Sequence, residues 1–384
     1  MTGFWDWVRF PDAEYAQRLA RLGEAMTARA LDAVVLSDDR LTWWLTGFGD
    51  VAPTGSAARP RVLVVPAAGA PAFFVHRSAE LCVREMSAVA DIRTYRPLGG
   101  APVEEIAAFL RERGCRRVGA EIGGQLRPGV AAGDVGALNA AGFELADASP
   151  AVWAVRMVKS EAEIARVREA CAITDRAYAS ALPRLRAGMT ERDVVGFLRR
   201  TLAEEGADSG WAWVVSGRGQ YDRIDGIVRD RAIEPGDFVF VDMGACVGGY
   251  WADFSRPAVV GRATEGQRGM QELVAEVTRI GTEALVPGRT AAEVAGLVDE
   301  AMAERGLVCT SRAERYGHGL GIAVTEPPDI WPGEETPIVP GMVLTMEPGM
   351  WTEEGMFHCE TNVAVTEHGN ELLSRAPLEL TETG

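Results

Sequence analysis

Two acid pairs and one histidine carry most of the chemistry this sequence can offer. The stretch Phe238-Val-Phe-Val-Asp-Met-Gly-Ala-Cys-Val-Gly-Gly-Tyr-Trp-Ala-Asp-Phe-Ser255 reads as two strands around a tight turn. Centred on Val247-Gly248, that hairpin sets Asp242 opposite Asp253. Directly opposed residues have Cβ atoms roughly 4.5–5.5 Å apart, where like charges repel. Taken alone, the pair also fits a solvated hairpin with two unrelated carboxylates. A second strand, turn and strand runs from Met342 to Val365, with its turn at Glu353-Glu354-Gly355, and sets Glu347 across from Glu360. Four unpaired anions converging in a core would cost many kcal/mol, and two divalent ions would neutralise them. Between the two acid hairpins lies His318 in Tyr316-Gly-His-Gly-Leu-Gly321, one of only 4 histidines in the chain. A lone histidine is more often structural, but glycines on both sides let backbone and ligand approach closely, which favours a metal ligand.

The elements that must position these side chains come in two styles. Residues 13–31 carry apolar positions at helical spacing, and Ala33-Val-Val-Leu-Ser37 follows as a short buried strand. Strands at Val62–Val65, Ala72–Val75 and Arg117–Glu121, with helices near Val103–Glu112 and Val130–Ala140, continue an α/β alternation. Around Val152–Ser160 the style changes, and Ser160-Glu-Ala-Glu163 supplies a capping box for a long helix towards Ala177. The domains are therefore placed at 1–155 and 156–384. The second repeats itself internally: Leu185-Arg-Ala-Gly-Met-Thr190, Val194 and Gly206 recur as Leu285-Val-Pro-Gly-Arg-Thr290, Val294 and Gly306, an offset of 100 residues. Each copy is a turn, a capped helix and a glycine stop, followed by one acid hairpin. This predicts an α+β domain with a curved antiparallel sheet and helices outside it.

Composition narrows the function. A 384-residue chain with 47% hydrophobic and 24% charged residues is long enough for two cores. Its net charge of −16 argues against nucleic acid and anionic membrane as partners and favours a small-molecule substrate. The 6 cysteines show no close spacing, so neither a zinc knuckle nor a disulfide framework is indicated. The first residues lack a signal-peptide pattern and no apolar run would span a bilayer, which predicts a cytoplasmic protein.

Asp242 in Val-Asp-Met-Gly-Ala, Asp253 in Ala-Asp-Phe-Ser-Arg, His318 in Gly-His-Gly-Leu-Gly, Glu347 in Met-Glu-Pro-Gly and Glu360 in His-Cys-Glu-Thr together resemble the five ligand positions of the pita-bread metallohydrolases. The Arg156–Ile164 junction and the N-terminal layer are similar to the prolidase, aminopeptidase P and creatinase branch. The resemblance implies a creatinase-like α/β domain followed by a pita-bread catalytic domain, usually as a homodimer. Asp242 would then chelate one ion, His318 and Glu347 the other, and Asp253 and Glu360 would bridge them. Such a hard, oxygen-rich set suits Mn²⁺ or Fe²⁺, with Co²⁺ or Zn²⁺ as substitutes. A water held between the ions would become the nucleophile, with Glu347 as general base. The implied activity is hydrolysis of an amide-type C–N bond in a small molecule, an Xaa-Pro-like dipeptide or a non-peptide analogue. A metal-dependent lyase on the same scaffold is the alternative, and a non-catalytic binding protein a third reading that intact acid pairs oppose.

The outer residues depart from that pattern. Proline peptidases place a histidine where this chain has Asp225, His-Glu where it has Thr325-Glu326, and an arginine where it has His358. Asp225, Thr325 and His358 are thus the catalytic positions to watch besides Glu347, and Tyr316 and Glu326 are candidates for binding substrate. Trp211-Ala-Trp-Val-Val-Ser-Gly217 is similar to the stretch before the site in creatinase, so Trp211 and Trp213 belong either to the substrate pocket or to the core. Asp225 beside two indoles would favour a cationic substrate, unless it is only a turn residue before Gly226. His76 and Trp43-Trp44 are candidates for reaching a partner subunit's cleft, with a surface or core role the alternative for each.

Overall fold

The computed structural model describes residues 9–49, 59–96, 98–222, 226–310 and 313–383, so Asp225 lies outside the described residues. The chain divides into two compact units, Met1–Arg156 and Met157–Gly384. In the first, a six-stranded sheet runs in the order Asp91–Tyr95, Ala72–His76, Val62–Pro66, Ala33–Leu36, Arg117–Ala120, Glu144–Asp147. Ala33–Leu36 pairs antiparallel with Val62–Pro66 and parallel with Arg117–Ala120. Buried along their whole length, the two former strands read as unbroken apolar runs. The strands Asp91–Tyr95 and Glu144–Asp147, absent from the sequence reading, are the two edges of the sheet. Both carry charged residues, as edge strands commonly do, and so gave no apolar signal.

Three residues considered for a reach into a partner's cleft are occupied at home. Trp43 and Trp44 lie in the core on the helix Asp39–Thr46. His76 caps the short turn Arg77–Ala79, with its ring nitrogens 2.8 Å from Ser78 Oγ and 3.1 Å from the Arg96 carbonyl.

In the second unit the duplication is structural. Helices Glu191–Glu204 and Ala291–Glu304 each open on a reciprocal capping box, Thr190 with Asp193 and Thr290 with Glu293. A longer helix precedes each, Glu161–Ala181 and Glu265–Ala284. Thr190 and Thr290 also make matching backbone bridges, to Ala232 and Pro337. The helices pack on two larger, mainly antiparallel sheets built around Phe238–Val247 and around Val343–Met346 with Thr361–Thr366.

The two hairpins differ in register. In the second, Met346 pairs with Thr361, and beyond the acids Gly349 pairs with His358, so Glu347 and Glu360 face each other as expected across a gap in one long ladder. In the first, Val247 pairs with Tyr250 and Asp242 with Ser255, not with Asp253. The turn is Gly248-Gly249, one residue beyond the expected centre, because both positions need a left-handed backbone, at φ 51° and 85°. Asp253 therefore sits diagonal to Asp242, farther from it than a direct partner would be.

Candidate metal centre

Every one of the five expected ligands sits where a strand ends or breaks, except Asp242, which lies within Phe238–Val247. Asp253 occupies the break between Tyr250–Trp251 and Phe254–Ser255. Its backbone is held by Asn362 of the other hairpin, whose Oδ1 accepts the Asp253 N–H at 3.0 Å and whose Nδ2 donates to the Asp253 carbonyl. Glu360 is fixed from behind by Arg256, whose Nη1 donates to the Glu360 and Ser255 carbonyls at 2.6 and 2.7 Å. The Glu347 N–H donates to the Tyr316 carbonyl at 2.7 Å, tying that ligand to the segment that carries His318. The glycines around His318 serve the backbone itself: a Cβ at Gly317 would come within 2.2 Å of the Thr345 carbonyl, and one at Gly319 within 2.2 Å of that of Pro327. Both cradle walls are main chain, so neither could yield.

His318 organises the acids. Its Nδ1 lies 2.9 Å from the Gly319 carbonyl, which makes Nδ1 the donor and aims Nε2 at the carboxylates. Nε2 is 3.4 Å from Asp253 Oδ2, 3.6 Å from Glu347 Oε1 and 3.8 Å from Glu360 Oε1. Single donor atoms of Asp253, His318 and Glu360 lie within 4.8 Å of one another, all three residues buried. Asp242 Oδ1 and Glu360 Oε1 are buried with no hydrogen-bond partner among the described residues.

The charges in this cluster conflict. Burial pushes the Asp242 and Glu360 carboxyls well above the usual range, and the neighbouring Asp253 and Glu347 push them further. Asp253 is raised by burial too, although the hydrogen bond from His318 opposes the shift. Burial also works against charge on Glu347, but His318, His358 and Arg315 outweigh it and hold that carboxyl low, at about 2. Burial would lower His318, yet Asp253 and Glu347 raise it. With no added cation, the acids can relieve this conflict only by holding protons. Orphaned carboxylate oxygens beside an aimed imidazole are a donor set that fits divalent ions.

The remaining residues are less uniformly placed. His358 is buried, with Nδ1 2.6 Å from Ser255 Oγ and Nε2 3.6 Å from Glu347 Oε2. Trp213 is the cross-strand partner of Asp242 and packs edge-on against Phe240, while Trp211 pairs with Gly244. Both indole N–H groups are buried without a partner among the described residues. Tyr316, expected at the substrate, belongs instead to the core, and its hydroxyl donates to Asp299 on an outer helix. Glu326 is buried in an ion pair with Lys159 at 3.1 Å and accepts the Ala323 N–H. Thr325 is exposed. Sequence reasoning missed Arg315, which reaches Glu347 Oε1 at 3.3 Å and Asp329 at 2.7 Å, and it missed Asn362. An asparagine directly before the apolar run Val363-Ala364-Val365 was the available signal for the latter.

A model of metallopeptidase family M24 matches residues 165–367, more than half of the chain, and one of the creatinase/prolidase N-terminal domain matches residues 18–158. The chain belongs to metallopeptidase family M24. It is 32% identical over 381 residues, 97% of each chain, to the "Probable dipeptidase PepE" of Mycobacterium tuberculosis. It is also 32% identical over 228 residues to the Xaa-Pro dipeptidase of Pyrococcus furiosus, covering 59% of this chain and 65% of that one. The crystal structure of dipeptidase PepE from Mycobacterium ulcerans superposes with a TM-score of 0.86 at 27% identity, over 98% of this chain and 100% of that one. Membership of M24 makes this chain a metal-dependent hydrolase of the peptidase type, with divalent metal ions implied. Its fold is the α+β class that the motifs implied, a creatinase-like N-terminal domain and a pita-bread catalytic domain. Among the described residues no helix is long and apolar enough to cross a membrane.

Proposed function

We propose that this M24 member is a dinuclear peptidase whose ligands are Asp242, Asp253, His318, Glu347 and Glu360. The observation that carries this reading is the pair of buried, partnerless oxygens, Asp242 Oδ1 and Glu360 Oε1, in a cluster where His318 Nε2 already faces three carboxylates. Asp253 and Glu360 would bridge the ions. Two divalent cations, manganese or iron by the hardness of the donors, would acidify a water and polarise the scissile carbonyl.

The chain's own part is proton handling and placement. Glu347 takes the proton at Oε2, where His358 Nε2 stands 3.6 Å away, while Arg315 Nε holds Oε1 at 3.3 Å. Ser255 Oγ fixes the His358 ring from its other nitrogen. Trp213, across the ladder from Asp242, would flank the bound substrate. The substrate is a small molecule with an amide-type C–N bond, an Xaa-Pro-like dipeptide or a non-peptide analogue, and the relatives named as dipeptidases support the former. We further infer a cytoplasmic homodimer, which light scattering at micromolar concentration would test by its mass.

The deciding experiment joins metal analysis of the purified protein to a panel of Xaa-Pro dipeptides and small cationic amides, read by mass spectrometry in ¹⁸O-water. Two metals per chain and one solvent oxygen in the product are expected. A product without solvent oxygen would turn the reading to a lyase, and a protein that binds no metal would sink it.

A further inference from the structure

The catalytic unit has a cavity of about 400 Å³ whose wall includes Arg256, Arg279, Ser374 and Arg375. Arg256 forms part of its wall and is 2% exposed. All of the acceptors that the described residues offer this guanidinium are backbone carbonyls, those of Ser255, Glu360 and Ala376. No carboxylate pairs with it among the described residues, and its Nη2 is buried without an acceptor. Burial makes this cation costly, and although the charges of Asp175 and Glu360 lie near enough to support it, neither carboxylate reaches it in an ion pair among the described residues.

A second buried donor lies in the same wall. Ser374 is 1% exposed, and its Oγ accepts the Asn362 N–H at 2.9 Å, leaving the hydroxyl proton with no acceptor among the described residues. Arg279 and Arg375 add exposed positive charge. Glu283 and Glu379 also line the cavity, and with Glu379 and Arg279 paired at 3.0 Å, Arg256 and Arg375 stand against Glu283 alone.

We propose that this cavity binds a small oxyanion, a carboxylate or phosphate group of a metabolite, and that its occupancy is felt at the metal centre. The two donors an anion would engage are the two that brace the ligands. Arg256 holds the Glu360 carbonyl, and Ser374 holds Asn362, which in turn clamps Asp253. An anion drawing Arg256 Nη2 and Ser374 Oγ outward shifts the backbone supports of both residues assigned to bridge the ions. By linkage, the anion then changes metal affinity and the metal changes anion affinity by the same factor.

The test uses inorganic sulfate on the full-length manganese-loaded protein, at constant ionic strength with chloride as the balancing anion. Calorimetry should show saturable binding at one site, with a rise in Tm that follows sulfate concentration. Arg375→Glu and Arg279→Glu, both at the exposed mouth and away from the metal ligands, should each weaken sulfate at least fivefold while keeping the manganese content. Manganese titrations with and without sulfate should give different dissociation constants, and Ser374→Ala should shrink that difference. Absence of saturable sulfate binding, or sulfate binding that both mouth variants leave unchanged, overturns the site. Equal manganese affinity with and without bound sulfate overturns the coupling.

Discussion

The two halves of the catalytic unit share a scaffold and differ in how they treat their acids. The first half supplies Asp242 and Asp253, set diagonally because the glycine turn lies one residue late. The second supplies Glu347 and Glu360 in direct opposition, together with His318, His358 and Arg315, which keep Glu347 ionised. Duplication thus accounts for the cleft, and divergence for the division of labour within it. Short aspartates on a rigid ladder hold position, whereas the second half carries the groups that move or stabilise a proton.

The strongest way to break this comparison is to remove one acid from each half. Asp253→Ala and Glu360→Ala should each empty the site of metal and abolish turnover, since each is assigned to both ions. Retention of two metals per chain in either variant would refute the shared site. Chelation of the wild type should leave the acids in conflict, and the metal-free protein should melt earlier than the loaded one.

A single buried acid in the first unit shows what the metal-site acids lack. Glu121 accepts the Ser37 and Asp38 N–H groups and the Ser37 hydroxyl at 2.8, 3.0 and 2.7 Å, yet burial still raises its carboxyl to about 7. A carboxyl raised in the folded state binds a proton there that the unfolded chain has already released. Its contribution to stability is therefore present below about pH 4.5 and lost as pH rises towards 7, about 3 kcal/mol. Glu121→Gln should flatten this slope in urea unfolding of the N-terminal unit followed between pH 5 and 8. A variant as pH-dependent as the wild type would mean that Glu121 is ionised throughout.

The tie between the halves is Asn362, and Asn362→Ala should cost about 10–100-fold in metal affinity, the usual range for a residue that orients a ligand. Circular dichroism unchanged from wild type would separate this from misfolding. An unaltered manganese dissociation constant would show that Asp253 holds its place without the clamp.

What could be read from the sequence follows the range of the interactions. The second hairpin's register was legible because Glu353-Glu354-Gly355 leaves one place for the turn, whereas Val247-Gly248-Gly249 offers two and only the backbone angles choose between them. The capping boxes were legible because both partners lie within four residues. Asn362 and Arg256 were not, because they act on backbone 109 and 104 residues away. Tyr316 was misplaced for a related reason: its neighbours in sequence face the cleft, but its ring turns into the core.

The smallest effect tests whether the repeats are equivalent. Thr190→Ala and Thr290→Ala each remove one capping box, at about 1 kcal/mol apiece. The residue that follows differs, however. Glu191 is fully buried and receives the Ser216 N–H and hydroxyl, both at 2.8 Å, and Arg229 Nε at 2.8 Å, whereas the side chain of its counterpart Ala291 only packs in the core. Fraying the first turn of Glu191–Glu204 therefore loosens a charged clamp on the strand end at Ser216 as well as a cap. Urea titrations monitored by tryptophan fluorescence should find Thr190→Ala costlier than Thr290→Ala by several tenths of a kcal/mol, with unchanged m-values. Arg229→Ala should remove that excess, because the cap and the clamp then no longer share a partner, and a double-mutant cycle between the two positions would measure the coupling. Equal losses at Thr190 and Thr290 would mean that Glu191 keeps its contacts without its cap and that the two copies still behave alike.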